Sequence, residues 1–470
     1  MRRLLSLFAY AAVCSIAVAQ EAPRLIVGIT IDQLRTDFLE SFVSLYGENG
    51  LKKLLNEGVI YKDVEYPFKN IDRASASASI VSGTTPYYHG ITGVEWLNRK
   101  TLLTETCVDD KEAEGVNTNK GASARNLTVS TIGDELKLAT EGKGLVYSIG
   151  TDKVMTVLSA GHAADWAMWI DGENGNWAGS RYYASSAPYW VSPLTYEENR
   201  LVEKPNKNAR VTKAATYCLT SGVCGADHVT DFLALNYSLA ETSGSSIDRI
   251  REAYVNLDME IEKLLTAIDS SASLRNTLIY FTSTGYEDSP ALSQVSSYKM
   301  PVQEVSMNRC TALLNMYLVA LHGKGNYIEA YFGNNIYLDH KLLEQKKLKA
   351  SDILTECENF LYQFEGIKEV YTSTRLLQGA WSPELNFVRN GFNTKHCGDI
   401  IVDVAPGCTL TDENKGKTTV SRTAWVDFPV ILFGYGLEAR QVSTPITVEY
   451  IAPTVARYAR IRAPNGSSRK

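Results

Sequence analysis

The histidines of this chain are few and scattered, which limits the metal chemistry that the sequence supports. The 470 residues include 26 Tyr but only 6 His, at His89, His162, His228, His322, His340 and His396. No H-x-x-x-H or H-E-x-x-H spacing occurs, so no helix is predicted to present two imidazoles to one zinc ion. A lone histidine is far more often structural than a metal ligand, and we expect all six to be structural.

Asp32, Arg73 and a run of small hydroxyl residues are the other candidates for chemistry. Asp32 directly follows the apolar run at residues 25–31, and Arg73 precedes Ala-Ser-Ala-Ser-Ala-Ser at residues 74–79. Such an apolar run is typical of a strand buried on both faces of a parallel sheet. Open α/β sheets place ligands at the carboxyl ends of their strands, so Asp32 is a candidate site residue. The Ser/Ala run favours a helix start with small residues packed on the sheet, and a hydroxyl nucleophile at Ser75 or Ser77 is the alternative.

The elements that would position these residues alternate between strands and helices. Helical spacing covers residues 36–57, and further helices are predicted at 247–268, 349–363 and 446–457. Buried strands are predicted at residues 144–149, 231–237, 276–282, 399–404 and 429–433. This alternation predicts a doubly wound α/β core. An inserted subdomain is predicted around residues 300–380, with strands near 312–321 and 327–332.

Composition and the first residues predict an exported globular protein. Hydrophobic residues make up 44% and charged residues 21%, and the net charge of −6 excludes a basic surface for nucleic acid. Residues 1–19 combine Arg2 and Arg3, an apolar stretch and an A-x-A ending, the pattern of a secretory signal peptide. Residues 20–470 would then form the mature domain. A lipid anchor at Cys14 is disfavoured because Val13 precedes it where a small residue is expected.

The exported chain is therefore expected in the periplasm or at the outer membrane. No later apolar run reaches 18 residues, so no membrane-spanning segment is predicted. Seven cysteines follow the signal peptide, and an oxidising compartment permits disulfides between them. Cys218 with Cys224, and Cys397 with Cys408, bracket short loops and are the natural local pairs. The odd number leaves at least one cysteine outside such pairs.

Several blocks of the sequence resemble the alkaline phosphatase superfamily. They include IVGITIDQLRTDFLESF (26–42), SIVSGTTPYYHGITGVEW (79–96), TLIYFTSTG (277–285) and FPVILFGYG (428–436), and they occur in family order. The most similar branch is the bacterial periplasmic alkaline phosphatases related to nucleotide pyrophosphatase/phosphodiesterases. The resemblance implies a mostly parallel, doubly wound sheet flanked by helices, with insertions forming a cap or small subdomain. It also implies a phosphoesterase with two zinc ions and a hydroxyl nucleophile.

The family's site residues are largely replaced in this chain. Asp32 matches the first zinc-ligand Asp, but Arg73 falls in the nucleophile slot. Ser77 falls four residues further on, where the resemblance implies His. Val94 replaces the Asn that contacts the phosphoryl group, and its side chain cannot hydrogen-bond an oxyanion.

The remaining ligand positions give the same result. The block at residues 238–244 holds Glu241 but neither the Asp nor the His that the resemblance implies. The block at residues 282–286 lacks its Asp-His pair, and Asp427 stands in the last His slot. Of six implied ligands, only Asp32 is retained in kind. No metal site is therefore expected, and the resemblance is to a family member degenerate at its active site.

These replacements predict a catalytically inactive phosphatase-like protein with a binding or scaffolding role in the bacterial cell envelope. Such a protein would need no cofactor and would bind an envelope protein partner that the sequence does not identify. The first alternative is a phosphoric ester hydrolase with zinc and a rebuilt site, made from Asp32, Ser75 or Ser77, Glu241, Asp427 and His89. The second is a non-hydrolytic protein that binds an anionic small ligand at Arg73 and Asp32. Direct pairing of Arg73 with Asp32 would compete with that binding, because an unpaired buried Asp32 would be costly.

Overall fold

A ten-stranded sheet with a parallel centre forms the middle of the molecule. The computed structural model describes residues 21–200, 205–287, 303–405, 408–412, 417–419 and 424–467. The strands in these residues are β1 (Leu25–Asp32), β2 (Val59–Tyr61), β3 (Val64–Glu65), β4 (Glu95–Leu97), β5 (Thr104–Thr106), β6 (Gly115–Val116), β7 (Val146–Gly150), β8 (Trp166–Ile170), β9 (Trp177–Ser180), β10 (Asp231–Ser238), β11 (Thr277–Ser283), β12 (Tyr286–Glu287), β13 (Gln303–Ser306), β14 (Ile328–Phe332), β15 (Asn335–Leu338), β16 (Ile367–Thr372), β17 (Ile400–Val404), β18 (Cys408–Asp412), β19 (Lys417–Thr419), β20 (Ala424–Trp425), β21 (Val430–Gly434), β22 (Arg440–Val442) and β23 (Ile446–Thr447).

The helices cover both faces of this sheet and pack beside a second sheet. In the described residues they are α1 (Thr36–Ser41), α2 (Leu51–Glu57), α3 (Arg73–Ser82), α4 (Pro86–His89), α5 (Ile132–Ala139), α6 (Lys153–Ala160), α7 (Val191–Asn199), α8 (Lys207–Thr220), α9 (Ile247–Ser271), α10 (Met307–His322), α11 (His340–Gln345), α12 (Ala350–Leu361), α13 (Ser373–Gln378), α14 (Pro383–Asn390) and α15 (Ile451–Ala459). Short 3-10 turns lie at Val43–Leu45, Ala240–Thr242, Leu274–Asn276 and Val448–Tyr450.

The large sheet has the topology that the sequence predicts. Its strand order is β22-β2-β21-β11-β1-β10-β7-β8-β9-β6. The neighbours β11, β1, β10, β7 and β8 are all parallel, whereas β21 runs antiparallel beside β11 and β9 runs antiparallel beside β8. The α/β fold class is therefore confirmed. The register sets Asp32 opposite Ser238, so the carboxyl ends of β1 and β10 lie side by side.

Both faces of the sheet are buried, as the continuous apolar strands predict. One face packs against α8 and α9, and the other packs against α3 and α15. In β1, Gly28 lies opposite Tyr280 of β11, and a Cβ on Gly28 would come within 2.2 Å of the Tyr280 hydroxyl oxygen. Gly28 is therefore required for the Tyr280 ring to cross the central strand.

The region after residue 303 forms a separate layer with its own core. Its four-stranded antiparallel sheet has the order β14-β15-β17-β16, and β13, β18 and β19 form a smaller sheet beside it. A hydrophobic cluster that runs in sequence from Val305 to Leu410 joins these strands to α10 and α12. These elements extend beyond residue 380, because the strand predicted at 399–404 is β17 of this second sheet.

Three predicted elements need correction. Residues 312–321 form part of helix α10 and not a strand, because Cys310, Leu314 and Leu318 recur every four residues and bury one helical stripe. The helix expected over 36–57 is broken, and Asp258 accepts backbone hydrogen bonds from Gly47 and Leu51 at the break. The helix expected from residue 446 begins only at Ile451, after strand β23.

Other predictions concern the termini, membrane spans and cysteines. The signal peptide at 1–19 and the anchor position Cys14 lie outside the described residues. In the described chain, every helix is too short or too polar to cross a bilayer. Neither expected disulfide is formed between the described residues. Cys218 and Cys224 are both buried instead as free thiols, and the contact with Cys218 together with burial raises the pKa of Cys224.

Candidate functional site

Asp32 is held rigidly at the carboxyl end of the central strand. Its side chain is fully buried. Oδ1 accepts a hydrogen bond of 3.1 Å from the Thr284 hydroxyl, which itself accepts one of 2.9 Å from the backbone amide of Gln33. Oδ2 lies 3.4 Å from Nη2 of Arg73. The carboxylate thus contacts both a neutral hydroxyl and a cation. Both contacts form because the ends of β1 and β11 meet the start of α3.

Arg73 is placed at the first residue of α3 by the cap that precedes it. Asp72 accepts hydrogen bonds through Oδ1 from the backbone amides of Ala74 and Ser75, and the Ser75 hydroxyl accepts one from the amide of Asp72. This capping box fixes the start of the helix. Its far end closes at Gly83, whose φ of 66° suits a residue without a side chain. The small residues of the run pack in the interior, as predicted.

Arg73 is surrounded by groups that favour its charge. Besides Asp32, Oδ2 of Asp152 lies 3.5 Å from Nη1, and the guanidinium donates a hydrogen bond to the Tyr286 hydroxyl. Burial disfavours the charged form, but the carboxylates of Asp32 and Asp152 and the Tyr286 oxygen outweigh it and raise the pKa of Arg73 above its usual value. The pairing of Arg73 with Asp32 that the sequence predicts is therefore present, and Asp152 joins it.

Arg73 lies in the wall of a cavity of ≈ 630 Å³ at this edge of the sheet, which we call the charged cavity. Its charged lining residues are four cations and four carboxylates: Arg73, Lys120, Lys153 and Lys207, with Asp152, Asp171, Glu173 and Glu241. Most of the cations have partners, since Lys207 lies 2.9 Å from Glu241 and Lys153 is hydrogen-bonded to Asp109. The lining is balanced in charge and carries no excess positive potential for an anion.

The other predicted site residues are dispersed. Ser77 is buried inside α3, and Ser75 is used in the helix cap. Glu241 lies across the charged cavity with its side chain 74% exposed. Asp427 is exposed outside the residues that line this cavity, and its backbone oxygen accepts a hydrogen bond from Thr36.

The histidines have structural partners away from Asp32. His89 is fully buried, and its Nδ1 accepts a hydrogen bond from the Ile91 amide, so Nε2 donates to the Ser79 hydroxyl at 3.0 Å. Burial lowers the pKa of His89 to about 3, which keeps the ring neutral. Nδ1 of His162 lies 2.9 Å from Asp134, and this hydrogen bond raises the pKa of His162.

Two Asp-His dipeptides occur in the chain, but neither contributes to the charged cavity. His228 is exposed in the loop before β10. His340 is at the start of α11, where its Nε2 lies 3.0 Å from Oδ1 of Asp399 in the second layer.

The residues at this site do not fit a pair of zinc ions. A structural or catalytic zinc site needs three or four Asp, Glu, His or Cys donors around each ion. Among the described residues, no three such side chains are grouped as a metal site would require. The one retained ligand type, Asp32, lies beside the permanent cation Arg73, which would repel a divalent ion at that distance. The described side chains at this site therefore lack the donor atoms that two zinc ions require.

Sequence reasoning did not identify Asp152 and Lys207 as neighbours of the predicted residues, whereas the resemblance places Thr284 in a ligand block of the site. Asp152 caps α6 by accepting hydrogen bonds from the amides of Val154 and Met155, and it follows β7 at the same edge of the sheet as Asp32. That position was the available signal, since parallel strands bring their carboxyl ends together. Thr284 carried the same signal, because it follows β11 and lies in the block at residues 282–286 where the resemblance implies an Asp-His pair. Lys207 carried no such signal, because its approach depends on how α8 packs.

The comparisons agree with this fold. The family model for type I phosphodiesterase / nucleotide pyrophosphatase matches residues 26–426. Alkaline phosphatase PafA of Elizabethkingia meningoseptica is 24% identical over 516 residues, covering 95% of this chain and 93% of the relative. Alkaline phosphatase PhoV of Synechococcus elongatus is 25% identical and covers 95% and 91%.

The solved structures agree as well. The crystal structure of wild-type PafA superimposes with a TM-score of 0.82 at 24% identity, covering 95% of this chain and 97% of that one. A murine ectonucleotide pyrophosphatase/phosphodiesterase 5 structure gives a TM-score of 0.56 at 10% identity. These likenesses are in fold. The family match covers most of the sequence, and the chain therefore belongs to the type I phosphodiesterase / nucleotide pyrophosphatase family within the alkaline phosphatase superfamily.

Proposed function

We propose that this chain is a pseudophosphatase, a phosphatase-fold protein that binds partners and does not hydrolyse phosphoesters. The observation that carries the proposal is the ion pair of Arg73 with the buried Asp32, at 3.4 Å. In the family, a hydroxyl nucleophile and zinc ions would act at these positions. Here a guanidinium supplies the positive charge that a buried carboxylate needs.

The chemistry of hydrolysis also lacks a nucleophile at this point. A guanidinium with a raised pKa does not attack phosphorus, because it has no available lone pair. The nearest hydroxyls in α3 are Ser75, which is engaged with Asp72, and Ser77, which is buried. Val94 packs in an apolar cluster, and its backbone amide is directed to Asp72 at 2.6 Å. A rebuilt hydrolase would need different surroundings at Ser75, Ser77 and Val94.

Binding of an anionic small ligand without hydrolysis is the second candidate. It is favoured by the position of Arg73 in the wall of the charged cavity, 27% exposed and accompanied by three lysines. The two carboxylates beside Arg73 oppose it, since they already neutralise the guanidinium. A thermal-shift titration with phosphate and nucleotides on wild type and Arg73→Ala tests this candidate. Anion binding here is rejected if these ligands do not shift the melting temperature of the wild type, measured beside a stable Arg73→Ala variant.

This function fits a protein that is exported and whose partner is a protein of the bacterial envelope. This location and partner rest on the signal-peptide pattern at residues 1–19 and on an acidic chain without nucleic-acid character. Cell fractionation tests the location. Cross-linking and affinity purification from native envelopes test the partner. Recovery of the protein alone from envelopes would count against scaffolding.

Hydrolysis itself is tested with an aryl phosphate monoester and an aryl phosphate diester, with added zinc. We expect no rate above that of the Asp32→Ala variant prepared in the same way. Turnover by the wild type that is lost in Asp32→Ala would show a working phosphoesterase and reject the proposal. Comparison with this variant separates true activity from a contaminating phosphatase, because both preparations carry the same contaminants.

A further inference from the structure

A second cleft lies between hairpin β4–β5 and the second sheet, and its lining differs from that of the charged cavity. It consists of two cavities of ≈ 290 and ≈ 560 Å³ that share the side chain of Phe332. Trp96 lines the smaller cavity and its neighbour Leu97 lines the larger one. Consecutive residues of a strand point to opposite sides, so β4 forms the partition between them. We call the two together the amide groove.

Carboxamides are the most frequent polar side chains of the amide groove. The six asparagines that line it are Asn70, Asn334 and Asn335 in the smaller cavity and Asn308, Asn315 and Asn326 in the larger one. Among the described residues that line either cavity, no lysine or arginine is present. The ionisable acids are Asp72, Glu95 and Glu329. This lining offers hydrogen-bond donors and acceptors together, without a cation for phosphate.

Aromatic rings form the other part of the lining. Trp96 and His396 lie against each other with ring centroids 3.9 Å apart, and Tyr337 lies beside them. Phe332 and Tyr331 continue the aromatic lining into the larger cavity. Burial, with a contribution from Lys395, lowers the pKa of His396 to about 4, so this ring is uncharged at neutral pH. Trp96 and Tyr337 are only 4% and 1% exposed, so the ring surface open to a ligand is that of the half-buried His396, Tyr331 and Phe332.

The amides divide into a fixed frame and two outward groups. Asn335 accepts a hydrogen bond from Gly398 and donates one to Asn334, which anchors the turn between β14 and β15. Asn70 and Asn326 are exposed, and within the described chain neither side chain makes a hydrogen bond. Asn70 has a φ of 61°, a left-handed conformation that asparagine tolerates better than most residues. Their donors and acceptors are therefore available to a ligand.

We propose that the amide groove binds an uncharged oligosaccharide. A sugar ring has apolar C–H faces that pack on aromatic rings and a rim of hydroxyls that both donate and accept hydrogen bonds. Carboxamides match that rim because each has two donors and one acceptor atom. Two adjoining cavities with the same chemistry suit a chain of linked sugars better than a single small ligand. This function is independent of the Arg73–Asp32 pair and goes beyond the loss of hydrolysis.

Isothermal titration calorimetry and saturation-transfer NMR test the proposal with three probes: chitotetraose, cellotetraose and maltotetraose. We expect at least one to bind the wild-type chain at micromolar to millimolar concentration. Asn70→Gly, which keeps the left-handed backbone, and Asn326→Ala should each weaken that binding roughly 2- to 10-fold, the effect of one lost hydrogen bond. Both residues are exposed, so these variants are expected to fold normally.

The control is Asn49→Ala, an exposed asparagine on the surface near α9, which should bind as the wild type does. Absence of binding by all three sugars overturns the proposal. So does binding that both groove variants retain in full. Binding of tetramethylammonium or of an extended peptide in place of the sugars, lost in the same variants, would show that the groove recognises another class of ligand. None of these results depends on hydrolysis or zinc, so failure here leaves the pseudophosphatase proposal to its own test.

Discussion

The charged cavity and the amide groove begin at adjacent residues and use their polar groups in opposite ways. Asp72 lines the groove, whereas Arg73, the next residue and the first of α3, lines the charged cavity. In the charged cavity Arg73 pairs with Asp152 and Lys207 pairs with Glu241, while Lys153 pairs with Asp109 outside the lining. In the groove, asparagines and aromatic rings line open space, and at least two amides are directed outward. A site whose charges satisfy one another has little left to offer a ligand.

The difference shows how an ion pair can form at the Asp32 position while the family's fold persists. The buried Asp32 still needs a positive partner, and Arg73 provides one without a metal ligand set. The sheet, the helix cap and the Gly83 turn are unaffected, because they depend on backbone and packing. Binding chemistry that belongs to the amide groove is then free to differ from that of the phosphatases.

The largest expected effect is that of removing the cation from the charged cavity. Arg73→Ala should lower the free energy of unfolding by about 2–4 kcal/mol, because it leaves buried Asp32 without a countercharge; the partial exposure of Arg73 reduces the full value for a buried pair. Urea unfolding measures it. The double variant Arg73→Ala/Asp32→Asn should recover most of the loss, since the amide oxygen can still accept the Thr284 hydrogen bond. A single variant as stable as wild type would show that the pair is not needed.

A smaller effect is expected in the amide groove when the pH falls. His396 has a pKa of about 4 in the folded chain and about 6.5 when unfolded, so between these values the unfolded chain binds more protons. Its contribution to stability is present above pH 6.5 and is lost as the pH falls towards 4, by at most about 2 kcal/mol at pH 5. His396→Phe keeps a ring against Trp96 without a titrating group. Its unfolding free energy, followed by urea titration, should therefore fall less between pH 7 and pH 5 than that of the wild type.

If the unfolding free energy falls with pH at the same slope in wild type and His396→Phe, the buried, neutral state of this ring is contradicted. Other groups titrate over the same range, but they do so in both proteins. The difference between the two slopes therefore reports His396. Binding of a neutral sugar by the groove should also change little between pH 7 and pH 8, where His396 stays uncharged.

The smallest effect is expected for Glu241, on the open side of the charged cavity. Glu241→Gln removes an ion pair with Lys207 in which both side chains are more than half exposed, so the unfolding free energy should change by less than about 0.5 kcal/mol. Zinc uptake, measured by dialysis against labelled zinc, should be the same as in the wild type. A clear fall in zinc uptake in this variant would instead identify Glu241 as a metal ligand and support the rebuilt hydrolase.

The parallel core could be predicted because its signals are local. The apolar run before Asp32 gave the central strand, and the spacing of replaced family residues placed Arg73 beside it. The break in the helix at 47–50 has a local signal in Gly47 and in Asn49-Gly50. Its contact with Asp258, about 210 residues away, has none. The apolar run at residues 312–321 predicts a strand as readily as helix α10, because a run of this length fits either element.

The site was only partly predictable for a similar reason. Asp152 and Thr284 reach Asp32 and Arg73 through strand order, which a single sequence does not specify. The amide groove was not predicted, because its asparagines lie at residue 70 and between residues 308 and 335. The hairpin β4–β5 forms its other wall. Such residues have no common spacing, and they meet only when the second sheet packs beside α3.

Zinc content tests the central claim most directly, namely that Arg73 and not a metal ion neutralises Asp32. The wild-type chain would be purified without chelator, dialysed with zinc, passed over a desalting column and analysed by inductively coupled plasma mass spectrometry. The account predicts zinc far below one ion per chain, unchanged in Asp32→Ala. One or two zinc ions per chain, lost in Asp32→Ala, would contradict it.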